Sequence, residues 1–254
     1  MKRWMSGILC ALWLMANTAM ANEESAGNEQ EQVQAIVKHL LEGNAAFTKS
    51  HKAEYYKPFL EKQHPKATVV TCSDSRVHTH AIDQTPDGDL FMVRNIGNQI
   101  ATAEGSVDYG ILHLHTPLLL IIGHVACGAV KAVQGDVSKL EEPIKRELAT
   151  MKLPAKNPKN DEGDEWLRGV DANVNNQVAF ALKKYAQEVK EGKLTVIGSV
   201  YDFQNALQQG QGRLVVTNIN GSTDAGSILS GLMKLSGSGS SLDKKPAGKK
   251  GAGH

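Results

Sequence analysis

The chain has no excess of charge of either sign: 28 Lys and Arg stand against 27 Asp and Glu, for a formal net charge of +1. That balance argues against nucleic acid or an anionic membrane surface as a partner. Beyond its N-terminal stretch, no apolar run is long enough to cross a bilayer, and no repeat recurs at solenoid or propeller periods. Cysteine is scarce, with three residues in 254. Whatever the cysteines do, they do not make a disulfide framework.

The N-terminus carries its own signal. Lys2 and Arg3 precede an apolar stretch from Met5 to Met15, and Ala19-Met20-Ala21 has the small residues of a cleavage site. Residues 1–21 therefore read as a secretory signal peptide, too short and wrongly flanked for a membrane span. Cys10 lies within it, but Leu9 is too large for a lipoprotein cleavage site, so no lipid anchor is expected. Cleavage near Ala21 leaves a periplasmic or secreted protein with two cysteines, Cys72 and Cys127. Exported proteins of this kind can hold one disulfide. That reading does not account for Asp74, Arg76 and His124 at their close spacings.

Those residues form two short motifs, each placed after an apolar run. Cys72-Ser73-Asp74-Ser75-Arg76 follows Ala67 to Thr71, and His124-Val125-Ala126-Cys127 follows Leu118 to Gly123. Two thiolates and one imidazole are a zinc-type ligand set, and three protein ligands leave a fourth position open for water. One zinc ion per chain is expected, held by Cys72, His124 and Cys127. Asp74 and Arg76 are spaced for a carboxylate gripped by a planar guanidinium fork, although alone the pair could be an ordinary surface salt bridge.

The rest of the chain alternates helix and strand. Val33, Ile36, Val37, Leu40, Leu41 and Phe47 recur at the helical period over Gln30 to Ser50. Strands are expected at Ala67–Thr71, Leu90–Val93 (buried), Leu118–Ile122 and Leu194–Val200, with an edge strand at Arg213–Asn218. Helices are expected at Ala103–His115, Ala129–Gln134 and Asp171–Lys190, and an exposed loop over Lys152–Glu165. This order predicts an α/β fold with a mostly parallel central sheet flanked by helices, its site at the carboxyl ends of the strands. Residues 22–235 are expected to form one domain, and the Gly, Ser and Lys composition of 236–254 predicts a disordered tail.

Blocks along the chain resemble the β-class carbonic anhydrases, from about Leu41 to Asn218. They include Cys72-Ser73-Asp74-Ser75-Arg76-Val77, Gly88-Asp89-Leu90-Phe91-Met92-Val93-Arg94-Asn95, and Ser106-Val107-Asp108-Tyr109-Gly110. Gly123-His124-Val125-Ala126-Cys127-Gly128, Asn173-Val174 with Gln177-Val178, and Ile197-Gly198-Ser199-Val200-Tyr201-Asp202-Phe203 continue the likeness in the same order. The resemblance implies reversible hydration of carbon dioxide to bicarbonate. A zinc at the three ligands would bring the pKa of a water to roughly 7, and Asp74, held by Arg76, would accept its hydrogen bond.

The resemblance further implies a pocket of Gln63, Phe91 and Tyr109, partly supplied by a neighbouring subunit, and hence a homodimer or an assembly of dimers. In some members Asp74 instead swings in as a fourth ligand. Those members usually carry Trp and Gly where this chain has Val69 and Thr71, so the open arrangement, with Asp74 on Arg76, is expected here. The same ligand set could also hydrolyse CS2 or COS. A non-catalytic zinc-stabilised interaction protein is a third reading, disfavoured by the open coordination and the Asp74–Arg76 pair. His78 with His80, and His113 with His115, could suggest a second metal but more often are solvated helix-end groups.

Overall fold

The computed structural model describes residues 6–237, with side chains from Asn28 onward. The leader expected over 1–21 and nearly all of the tail expected over 236–254 thus lie outside the described side chains. Two compact units are separated between Lys62 and Gln63. Among the described residues no helix is long and apolar enough to cross a membrane.

The first unit is helix α1 (Ser6–Ser50), the short helix α2 (Ala53–Tyr56) and a 3-10 turn at Lys57–Phe59. An aromatic knot ends α1. Phe47 stacks on His51 with ring centroids 3.9 Å apart, His51 lies 4.2 Å from Tyr55, and Tyr55 meets Phe59 edge-on at 5.4 Å. Val33, Ile36, Val37, Leu40 and Leu41, spaced to share one face, are exposed.

The second unit is built on a five-stranded sheet: β1 (Ala67–Cys72), β2 (Leu90–Asn95), β3 (Leu118–His124), β4 (Thr195–Asp202) and β5 (Arg213–Ile219), in the spatial order β2-β1-β3-β4-β5. The first four strands run parallel and β5 closes the edge antiparallel. Every residue of β1 is buried, and six of the seven in β3, because helices cover both faces of a parallel sheet. Val69, Val70, Leu119, Ile121, Ile122, Val196 and Val200 have no exposed surface.

Helices α3 (Glu104–Asp108), α4 (Gly128–Gln134), α5 (Glu142–Leu148), α6 (Glu162–Lys184), α7 (Ala186–Lys190) and α8 (Ala225–Leu235) complete the unit. Helix α6 lies close on the centre of the sheet because two strand residues have no side chain. A Cβ on Gly123 would come within 2.7 Å of Val174, and one on Gly198 within 2.7 Å of Val174 and 2.9 Å of Val178.

Three expectations need correction. Strand β2 is not a buried strand: it forms one edge of the sheet, and Val93 is its single buried residue. The helix expected over Ala103–His115 is shorter, passing at Tyr109 into a π-type turn over Tyr109–His113. That turn brings Gly110 against Thr68 and Phe91, where a Cβ would clash. The loop expected over Lys152–Glu165 already becomes helix α6 at Glu162, opened by the Asp161 side chain accepting the Asp164 N–H at 2.8 Å. The sequence hides this start because its first turn is acidic and carries no apolar period.

Candidate metal centre

Strands β1 and β3 are neighbours, and Thr71 lies in register with Ile122. Cys72, the last residue of β1, therefore lies beside the end of β3, where His124 is delivered. This is where the sheet changes direction of growth: β2 was added on one side of β1 and β3 on the other. Open α/β sheets place their ligands at such points. The three residues past His124 turn sharply, with Ala126 at φ +54°, and set Cys127 just before helix α4.

Cys72, His124 and Cys127 thus meet, their ligating atoms all within 4.8 Å of one another and all three residues buried. Among the described residues this is the one such group of metal-ligating side chains. Both cysteines are free thiols, so the disulfide alternative is not formed. His124 Nδ1 lies 2.9 Å from the Val125 carbonyl. A carbonyl can only accept, so Nδ1 carries the proton and Nε2 keeps its lone pair. That Nε2 is buried and has no hydrogen-bond partner among the described residues, an arrangement costly in a bare protein and satisfied by a cation. The donor set therefore fits a soft, tetrahedral ion such as zinc.

The two thiols share their protons unequally. The Cys127 S–H and the Gly97 N–H, 3.5 Å from Sγ, favour the Cys72 thiolate and draw its pKa down, while the same pairing and burial push Cys127 up. Asp74 stands at the mouth of the cluster. Its Oδ2 is 3.8 Å from His124 Nε2, and Arg76 grips both oxygens, Nε to Oδ1 at 2.9 Å and Nη2 to Oδ2 at 2.7 Å. The Arg76 backbone N–H adds a third bond to Oδ1. The guanidinium holds the Asp74 carboxyl well below the usual carboxylate range, so it is an anion and an acceptor at any ordinary pH.

Four supporting residues were not singled out from the sequence. Arg94 on β2 donates to the carbonyls of Cys72, Asp74 and Val77 at 2.8–3.1 Å, clamping the loop that carries Asp74 and Arg76. Trp166 on α6 donates its indole N–H to the Cys127 carbonyl at 2.7 Å. The buried Asp202 carboxylate accepts the backbone N–H groups of Gln204, Ala206 and Leu207. Phe203, in the turn so fixed, faces Arg76. Arg94, Asp202 and Phe203 lie inside motif blocks, which was the available signal; for Trp166 there was none.

The pocket residues fall elsewhere in the chain. Phe91 and Tyr109 meet each other, with ring centroids 5.9 Å apart. Phe91 is in register with Thr68, four residues before the Asn95 that lies opposite Cys72, or about 13 Å along the strand. Gln63 is exposed and precedes the amino end of β1. His78, His80, His113 and His115 are all exposed and join no metal-ligating group among the described residues.

Residues 67–208, more than half of the chain, match the family model described as carbonic anhydrase. The chain belongs to the β-class carbonic anhydrases. It is 30% identical to the carbonic anhydrase of Synechococcus elongatus over 189 residues, 66% of this chain and 69% of that protein. It is 27% identical to carbonic anhydrase 2 of Mycobacterium tuberculosis over 187 residues, 67% of this chain and 89% of that protein. Among solved structures, a tetrameric β-carbonic anhydrase of Sordaria macrospora shares the fold at TM-score 0.61 and 23% identity, over 71% of this chain and 96% of its own. The Coccomyxa β-carbonic anhydrase in complex with acetazolamide does so at TM-score 0.61 and 24% identity, over 80% and 97%. The enzyme is thus a carbonic anhydrase with a buried Cys-His-Cys cluster of metal-ligating side chains.

Proposed function

We propose that this carbonic anhydrase is a zinc enzyme of the open type, hydrating carbon dioxide reversibly in an exported compartment. The observation that carries the reading is Asp74 Oδ2, 3.8 Å from the free His124 Nε2 and gripped by Arg76. Zinc held by Cys72, His124 and Cys127 would supply the Lewis acidity that makes a water nucleophilic near neutral pH. Asp74, held as an anion, would accept the hydrogen bond of that water and orient it toward the substrate carbon. Arg76 keeps Asp74 from becoming a ligand itself. Two thiolates soften the acidity of the ion, which makes an acceptor beside the water more valuable.

The working form proposed is a homodimer or an assembly of dimers. Gln63, Phe91 and Tyr109 would complete the substrate pocket from across the interface, since Phe91 lies toward the amino end of its own strand. The exposed apolar face of α1 is a surface that association would cover. An exported location rests on the leader-like residues 1–21.

Stopped-flow CO2 hydration by the zinc-loaded chain lacking residues 1–21, alongside Cys127→Ala, tests the reading. Zinc-dependent turnover, abolished in the variant, is expected. No turnover in a folded chain carrying one zinc would overturn it.

A further inference from the structure

The Asp74–Arg76 pair has a third member. The Arg76 guanidinium carbon lies 4.8 Å from the centroid of the Phe203 ring, within range of a cation–π contact. A second neighbour of that ring is His124, nearly parallel at 26° with centroids 6.2 Å apart. Phe203 therefore lies beside both the group that restrains Asp74 and the imidazole that Asp74 faces.

Its position is built. Tyr201 is in register with His124 at the ends of β4 and β3, and the Val125 N–H donates to the Tyr201 carbonyl at 3.1 Å. Two residues on, Phe203 leaves the sheet beside the metal loop. The buried Asp202 carboxylate captures three backbone N–H groups of the following turn, Gln211 donates to the Phe203 carbonyl at 2.9 Å, and the Tyr201 ring flanks Phe203 at 5.7 Å. The ring is thereby set in one place with its face toward Arg76.

Arg76 needs such a support. Its side chain is 48% exposed, and an exposed arginine has many rotamers open to it. Three bonds from Arg76, one of them from its backbone N–H, hold the Asp74 carboxylate, but what keeps the guanidinium itself in place must come from outside the pair. The Ala126 carbonyl, accepting from Nη2 at 3.1 Å, restrains one edge of the guanidinium, and the Phe203 ring restrains its face. We propose that Phe203 is a positioning residue that keeps the Asp74–Arg76 pair turned away from the metal, so that the fourth coordination position stays open to water. The inference rests on the zinc reading above.

The test compares Phe203→Leu, which keeps apolar bulk but loses the aromatic face, with Phe203→Tyr, which keeps the face. Each is made alone and combined with Asp74→Ala, and the wild-type chain is measured in parallel. Two readouts are taken: the visible absorption spectrum of the Co(II)-loaded protein, and kcat and KM for CO2 hydration of the zinc form. Phe203→Leu is expected to shift the cobalt spectrum as a carboxylate enters the coordination sphere, and the shift should vanish when Asp74→Ala is added. In the same variant kcat should fall by about tenfold or more with KM little changed, and Phe203→Tyr should restore both. A wild-type spectrum and kcat in Phe203→Leu would overturn the proposal, as would equal losses in both variants with the spectrum unmoved. Should the wild-type chain itself fail to hydrate CO2, the zinc-hydration reading falls, while the cobalt spectra still decide the role of Phe203.

Discussion

Arg76 holds Asp74 by both carboxylate oxygens, at 2.9 and 2.7 Å, while the carboxylate stands 3.8 Å from His124 Nε2. The distance matters as much as the grip. In the function proposed above, the carboxylate would orient a water held by a bound ion rather than become a ligand itself.

Arg76→Ala is accordingly expected to lower kcat/KM for CO2 hydration by about 10²-fold, the scale of losing one preorganised group at the reacting centre. Arg76→Lys should recover only part of that, because an ammonium carries the charge without the two-pronged geometry. Equal activity in the Lys variant and the wild type would show that charge alone suffices.

Glu165 gives a pH dependence away from the metal. Arg168 binds both its oxygens at 3.0 and 2.7 Å, Asn160 adds a bond at 2.6 Å, and Arg168 above all holds the carboxyl down to about 2. A carboxyl depressed below its unfolded value of roughly 4.3 stabilises the fold above that value. The contribution is lost as pH falls from there through about 2. The Tm difference between wild type and Glu165→Gln should therefore be largest near neutral pH and close progressively in acid. A difference that stayed constant down to pH 2 would count against the linkage.

The close approach of α6 to the sheet gives a packing prediction. In Gly123→Ala or Gly198→Ala the new methyl meets buried valines at 2.7 Å, and overpacking of this kind costs about 1–3 kcal/mol. Urea unfolding of the metal-loaded proteins measures it. Gly123→Ala should also weaken metal retention, because the strain enters the strand one residue before His124. Gly198→Ala, one strand further away, should affect stability more than metal affinity.

Removing the metal should expose the cysteines chemically and destabilise the chain. With Cys72 favoured as a thiolate beside the Cys127 thiol, the metal-free protein is expected to react with a thiol reagent at Cys72 first. The loaded protein should resist the reagent. Tm should fall on chelation, since an ion that binds only the folded site stabilises it by mass action. Unchanged reactivity before and after chelation would mean that the cysteines are not the ligands.

Much of the fold and the ligand set could be read from the chain in one dimension. Leu118–Ile122 announces itself as a short all-apolar run and Ala67–Thr71 as a largely apolar one, the pattern of strands covered on both faces. The expected edge position of β5 is also found. The edge position of β2 was not legible, because Leu90-Phe91-Met92-Val93 is as apolar as a central strand. Its partial exposure comes from which neighbour it lacks. Helix α5 and helix α8 were not expected from the sequence, although Asp224, accepting the Ser227 N–H at 2.9 Å, caps the start of α8.

The division between the two levels follows the range of the forces. Residue type and spacing within a few positions were enough to name Cys72, Asp74, Arg76, His124 and Cys127, because metal ligation and bidentate pairing demand particular chemistry at short separations. That the two halves of the site meet depends on the register of β1 with β3, across about 50 residues of intervening chain. The loop clamp of Arg94, the indole bond of Trp166 and the ring of Phe203 against Arg76 likewise arise between distant segments. Such contacts exist once the sheet has assembled and α6 has closed over its glycines, and the motif blocks that contain Arg94 and Phe203 do not say what those residues touch.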